Sequence, residues 1–543
     1  MKSLNNKIAL WCAPLAGALL LGGGIWIGAK FFSTRPSAAQ VDKVGLIMNL
    51  IDETYVDEID TDSLLEAAIP DILSKLDPHT SYIPASELED VTSDLEGSFS
   101  GIGVSFTISN DSIVVLEVIS GGPSEKAGLK AGDRIVTVGD SLMCGPKLTN
   151  SKVMSALRGP KDTVVDLGVK RGSSDKLTHF EVTRGDIPTN SVDASYLISP
   201  EIGYIKVSKF AKGTYNEFIT ALATLQFKGA SKYIVDLRGN GGGFMEMAVL
   251  MANEFLPEHR IIVSTHGKNS SNDNLLLTDD TGSFHNCDIV VLLDEFSASA
   301  SEIFAGAIQD NDRGLIIGRR SFGKGLVQQQ FAMPDSSAVR LTVSRYYTPS
   351  GRSIQKPFKR GATLDYEKDL IDRFAHGEAY SADSIKLDTT VTYVTVSGRP
   401  VYGGGGIMPD IFVPNDTSSI TNYYVAVQDA GMLHKFALDY VDRNREAFSE
   451  VKTLTQLQEM LPDDRDMLRQ FAFFAERQGK IIPNWRSLNI SREIILNNLK
   501  ALIARDVLGM GALYQVLNAN DPTVAKGVEV LENGVESYLV PQN

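Results

Sequence analysis

Between residues 297 and 324 the chain gathers side chains that can open an acyl bond. Serines stand at 297, 299 and 301 in Ser-Ala-Ser-Ala-Ser-Glu302, and a lysine lies in the loop Ser321-Phe-Gly-Lys-Gly-Leu-Val-Gln328. A serine hydroxyl is a weak nucleophile until a base takes its proton. Lys324 is the candidate base, provided an apolar site drops its pKa well below the ordinary value of about 10.4. Its neighbours Phe322, Leu326 and Val327 are compatible with such a site. The apolar, strand-like run from 288 ends at Asp294, and a helical pattern over 300–310 begins within a few residues. The serines therefore occupy a sharp strand-to-helix elbow. N–H groups of a first helical turn have no internal partner and carry the positive end of the dipole, which suits them to an oxyanion.

Other readings of the same residues have to be weighed. Ser299-Ala-Ser-Glu302 also fits a capping box, in which the hydroxyl only satisfies an amide. Gly318 to Lys324 satisfies most of a phosphate-cradling loop, but Gly325 stands where a Ser or Thr would have to hold magnesium. Ser321-Phe-Gly-Lys324 has the Ser-x-x-Lys spacing of a helical turn, which Gly323 and Gly325 disfavour. A dinucleotide loop at Gly239–Gly243 would need a glycine at 244, which is Phe. Asp236 and Arg238 read equally as a structural ion pair or as part of a catalytic site. None of the seven histidines, at 79, 179, 259, 266, 285, 376 and 434, falls in a pattern that places it near Ser299, and none forms a metal-ligand spacing. His79 reads as a loop or helix-start residue. The expectation is an enzyme without cofactor or metal.

Six segments appear in a fixed order: Leu76-Asp-Pro-His-Thr-Ser-Tyr-Ile83, Asp236-Leu-Arg-Gly-Asn-Gly-Gly-Gly243, the serine cluster, Phe322-Gly-Lys-Gly-Leu-Val-Gln328, Tyr347-Thr-Pro-Ser-Gly-Arg-Ser-Ile-Gln355 and Gly406-Ile-Met-Pro-Asp410. Over about residues 40 to 415 they resemble the carboxy-terminal processing peptidases, or tail-specific proteases, serine peptidases that use a Ser-Lys dyad. The resemblance implies that the nucleophile is the serine 25 residues before the lysine, which is Ser299 (324 − 299 = 25). It implies Gln328 as the polar partner of Lys324, and the amides of Ala300 and Gly242 as the oxyanion hole. If 324–330 is extended, side chains 324, 326 and 328 share one face, so the Gln328 amide oxygen can orient the lysine amine. The implied function is a serine endopeptidase cutting proteins near their C-termini. The rival from another class is a catalytically silent adaptor that keeps the fold.

These parts need a scaffold, and strands alternate with helices from 187 to 414: 202–207, 213–227, 232–237, 244–255, 288–294, 300–310 and 314–318. That order predicts an α/β peptidase core. Residues 90–186, dense in short strands and glycine turns with Ala127-Gly-Leu-Lys-Ala-Gly-Asp133, resemble a PDZ domain. In such a domain the loop Gly101-Ile102-Gly103 offers amides to a terminal carboxylate, and the strand from Val104 pairs with the peptide. Apolar free C-termini are the expected ligands.

Residues 34–89 are read as an N-terminal helical region, with Val44, Ile47, Met48 and Ile51 on one helical face, and 415–543 as a helical extension of unknown role. Covering the active site, forming a homo-oligomer and binding a partner all stay open for that extension. Residues 1–33 contain the uncharged apolar run Ile8–Ala29, 22 residues long. It spans about 33 Å as a helix, enough for a bilayer core of about 30 Å. It reads as an uncleaved membrane anchor, with Lys2 and Lys7 inside and the catalytic part in the periplasm or outside the cell. A net charge of −15 argues against nucleic acid as a partner. Three cysteines, Cys12, Cys144 and Cys287, do not make a disulfide scaffold.

Overall fold

The structure is a computed structural model that describes residues 42–109, 111–119, 121–171, 176–386 and 391–539. The apolar run Ile8–Ala29, with Cys12, Lys2 and Lys7, lies outside the described residues. Among those residues no helix is long and apolar enough to cross a membrane. The described residues up to Ile72 form one compact unit and those from Leu73 another.

The N-terminal helical region holds two helices, Lys43–Thr54 and Thr61–Leu73. Tyr55 turns extended (ψ 148) and ends the first. Asp60 accepts from the amide of Asp62 at 3.1 Å and starts the second, so a capping carboxylate competes with helix continuation.

The second unit is built on a six-stranded sheet in the order Val192–Ser199, Ile202–Val207, Lys232–Asp236, Asp288–Leu293, Leu315–Gly318, Ile411–Phe412. All neighbours after the first pair run parallel. Parallel strands are buried on both faces, which is why these segments are near-continuous apolar runs. Side chains alternate accordingly. Ile205, Val207, Tyr233, Val235, Val291 and Leu293 pack with the helices Thr214–Phe227, Met245–Asn253 and Ala300–Asp310. Tyr204, Ile234, Val290 and Leu292 pack against Val524, Val530 and Leu531 of the helix Pro522–Asn533. The end of the chain thus covers the sheet's second face, a role that its short amphipathic pattern did not announce.

A second sheet carries the other half of the site. Its central strand Ala338–Tyr347 pairs antiparallel with Leu326–Ala332, Ser81–Ile83 and Ile261–Gly267. Lys324 precedes the strand Leu326–Ala332 by two residues, and the pairing register shifts between Val327 and Gln328, so the regular extended stretch that would set 324, 326 and 328 on one face does not form. Residues 100–182 contain a separate sheet with its own core, including Ile113, Ile135, Leu167 and Val182. Further on, the amphipathic stretch Thr421–Glu446 of the helical extension is divided among Asn422–Asp429, Met432–Arg443 and Arg445–Phe448. Gly431 breaks it by adopting φ 65.

Candidate active site

The three serines of the elbow meet different fates. Ser297 and Ser301 are fully buried, and their hydroxyls donate to the carbonyls of Leu237 and Asn240, each at 2.9 Å. Ser299 is half-buried at the N-cap of Ala300–Asp310, with φ 57 and ψ −113. A non-glycine residue in that region costs about 1–3 kcal/mol, and such strain persists only where the surroundings impose it. Here the glycine loop imposes it. A Cβ on Gly242 would lie 2.8 Å from Ser299 Cβ and 3.0 Å from Ala300 N, so only glycine permits this approach. Ala298 N donates to Asn240 O at 3.0 Å, tying the elbow to the loop through the main chain.

Glu302 joins the serine to the lysine. Its fully buried carboxylate accepts at Oε2 from Ser299 N (2.8 Å) and Lys324 N (2.9 Å), and at Oε1 from Gly323 N (2.7 Å) and Ser321 Oγ (2.5 Å). The carboxylate half of a capping box is therefore present, but the same group also clamps the lysine loop. Burial pushes Glu302 up to about 7 against those donors, which pull it down. Tyr346, also buried, donates to the carbonyls of Ser299 (3.2 Å) and Lys324 (2.6 Å). Lys324 is half-buried, and desolvation, helped by the Arg340 charge, lowers its pKa against the opposing pull of Glu302 and Asp77. The buried Lys356 is consumed by Asp369 (3.0 Å) and Tyr366 O (3.1 Å). A strained serine beside a helix N-terminus, and a lysine held to it by one carboxylate and biased toward its neutral form, can do nucleophilic acyl transfer.

Residues 201–367 match peptidase family S41 and residues 100–182 the PDZ domain family. A carboxy-terminal-processing protease of Bartonella bacilliformis is 36% identical over 58% of this chain and 73% of its own length. The carboxy-terminal processing protease CtpB of Bacillus subtilis is 30% identical over 71% of this chain and 82% of its own. This chain belongs to peptidase family S41. It is a serine-type carboxy-terminal processing peptidase with a PDZ domain. A solved photosystem II D1 C-terminal processing protease is similar over 57% of this chain and 88% of its own, at 29% identity and a TM-score of 0.32. Residues 423–509 match a family of unknown function.

The peptidase differs from its sequence reading in instructive ways. Gly242 lies against the elbow as expected, but its N–H donates to Asn240 Oδ1 at 2.9 Å rather than standing free for an oxyanion. The Gln328 amide donates to Thr342 Oγ1 at 3.4 Å. Buried Asp236 pairs with half-buried Arg238 at 2.6 Å; burial raises the Asp236 pKa, but the charges of Arg238 and Lys206 outweigh it and hold it low, and Arg238 also reaches Asp521 at 2.7 Å, just ahead of the helix Pro522–Asn533. His79 lies in the turn ahead of the strand Ser81–Ile83, a loop position as expected. Burial and the nearby charge of Lys324 lower it to about 4, so it is a neutral imidazole, 2.9 Å from Tyr366 Oη. Glu302, Tyr346, Asp77 and Thr342 were not singled out from sequence for this site. The Ser-x-x-Glu spacing was the available signal for Glu302, and it was absorbed by the capping reading.

In the PDZ domain a groove of about 340 Å³ is lined by Gly101, Ile102, Gly103, Val104, Met154 and Leu157, among others. The strand Val104–Ser109 is the edge of its sheet, and Asn150–Leu157 forms the facing helix. The carbonyls of Ile102 and Gly103 accept from Ser124 N (2.9 Å) and Ile119 N (3.0 Å). A trans peptide points its N–H opposite to its C=O, so the amides of Gly103 and Val104 face away from those partners.

Proposed function

We propose that Ser299 attacks the scissile carbonyl while neutral Lys324 takes its proton and returns it to the leaving nitrogen. Water then releases the acyl group with Lys324 again as base. Gln328 orients the amine. The N–H of Ala300 stabilises the oxyanion, joined by that of Gly242 when its bond to Asn240 opens on substrate binding. The observation that carries this reading is the single Glu302 oxygen shared by the amides of Ser299 and Lys324. The test is cleavage of an unfolded protein by the full chain. Ser299→Ala should abolish it, whereas Ser321→Ala, whose hydroxyl is buried against Glu302, should affect folding before chemistry. Cleavage retained by Ser299→Ala would refute the assignment.

The substrate we infer is a protein chain held by its apolar free C-terminus in the groove at Gly101–Val104 and cut near that end. We divide the chain into an anchor at 1–33, a helical region at 34–89, the PDZ domain at 90–186, the peptidase core at 187–414 and a helical region at 415–543. Packing of Val524, Val530 and Leu531 on the core sheet supports adding the helix Pro522–Asn533 to the core. The uncharged run Ile8–Ala29 supports a tether that leaves the catalytic part in the periplasm or outside the cell. Release of the chain from membranes by alkaline carbonate would refute the tether.

A further inference from the structure

Gln328 stands directly opposite Thr342 in the antiparallel pair, so their side chains are cross-strand neighbours. Gln328 Nε2 donates to Thr342 Oγ1 at 3.4 Å, and Thr342 Oγ1 donates to Asp77 Oδ1 at 3.1 Å. Asp77 is buried and fixed in place. It accepts from His79 N (2.9 Å), Thr80 N (3.0 Å) and Thr80 Oγ1 (2.6 Å). Thr80 Oγ1 in turn accepts from Thr342 N at 3.2 Å, and the strand Ser81–Ile83 that follows pairs with the Thr342 strand.

The direction of this chain of bonds follows from chemistry. An ionised carboxylate can only accept. The single proton of the Thr342 hydroxyl therefore goes to Asp77, and only lone pairs remain for Gln328. Gln328 must then present its NH2 to Thr342, which leaves Oε1, its acceptor, for a donor on the other side. A lysine amine needs that acceptor, and a flipped amide would offer it a second donor.

We propose that Asp77, acting through the Thr342 hydroxyl, fixes which end of the Gln328 amide faces the Lys324 amine. The role rests on the Ser299-Lys324 reading. Asp77 and Thr342 are positioning residues, since neither touches the reacting atoms. The proposal gives the Leu-Asp-Pro-His-Thr segment a part in the chemistry that its distance in sequence from the serine and lysine conceals.

A double-mutant cycle on the full chain tests it, read as hydrolysis of an unfolded protein substrate. Loss of one oriented hydrogen bond corresponds to about three- to tenfold, so Thr342→Val should lower kcat by that factor with KM within about twofold. Thr342→Ser should restore most of the rate. In a Gln328→Ala background, Thr342→Val should cost nothing further, because the amide it orients is gone. Asp77→Ala, which removes the acceptor, should match Thr342→Val, and if it fails to fold, the threonine cycle stands alone. Equal losses in both backgrounds would mean a merely structural threonine and overturn the proposal. A wild-type rate for Thr342→Val or for Gln328→Ala would overturn it as well. Activity surviving in Ser299→Ala would instead remove the dyad itself, so the two failures are distinguishable.

Discussion

The serine elbow and the PDZ groove handle polar groups in opposite ways. At the elbow, backbone strain at Ser299 and a fully buried carboxylate at Glu302 coexist because four donors converge on that carboxylate. The groove at Gly101–Val104 is open, mostly apolar, and bordered by an unpaired strand edge and one helix. A site that makes and breaks bonds must hold its geometry against water and strain, whereas a site that exchanges ligands must leave its polar groups available. Substitutions at the elbow should therefore be nearly all-or-none, and changes at the groove graded.

The largest expected effect is at the proposed base, Lys324. Lys324→Arg keeps the charge but cannot shed a proton near neutrality, so hydrolysis should fall by at least about a thousandfold, as in Lys324→Ala. In the wild type, kcat/KM should rise with pH through a pKa below the ordinary lysine value, since desolvation lowers Lys324 and only its neutral form is a base. A fully active Lys324→Arg would erase the contrast between the two regions.

Next is Glu302→Ala, which strands three amides and a buried hydroxyl and should cost about 3 kcal/mol or more in denaturant unfolding. Because burial raises Glu302 to about 7, above its unfolded value of about 4.3, its protonated form stabilises the fold. That contribution is complete below about pH 4 and is lost as pH rises through about 7. Wild-type stability relative to Glu302→Gln should therefore fall between pH 5 and pH 8, and a rise would contradict the assignment.

At the groove, amidating an apolar peptide's C-terminus removes a charge-assisted acceptor worth roughly 1.5–3 kcal/mol, so affinity should drop at least about tenfold by titration calorimetry. Equal affinities would place tail recognition elsewhere. The smallest effect is expected at Asp521→Ala. Arg238 keeps its closer partner Asp236, so the loss should be about 1 kcal/mol with cleavage largely retained.

The parallel core was legible because buried strands write continuous apolar runs. Ile202–Val207, Asp288–Leu293 and the helix Ala300–Asp310 lie within a residue of where the periodicity puts them. The proposed dyad could be read at all because its motifs carry fixed spacing. What sequence did not disclose depends on contacts far apart in the chain. Asp77 meets Thr342 across 265 residues, and Arg238 meets Asp521 across 283. Local rules also hid Glu302, since a Ser-x-x-Glu spacing describes its bond to Ser299 and says nothing of Gly323 and Lys324. Gly431 broke a long amphipathic pattern that periodicity alone reads as continuous.

The central claim is that bond cleavage and tail recognition reside in separate parts of this peptidase, with Ser299 the nucleophile. One variant tests both halves. Full-length Ser299→Ala should bind a peptide with an apolar free C-terminus with wild-type affinity, within about twofold, while its cleavage of an unfolded protein falls to background. Cleavage at a rate near that of the wild type, or peptide affinity lost together with activity, would contradict the account.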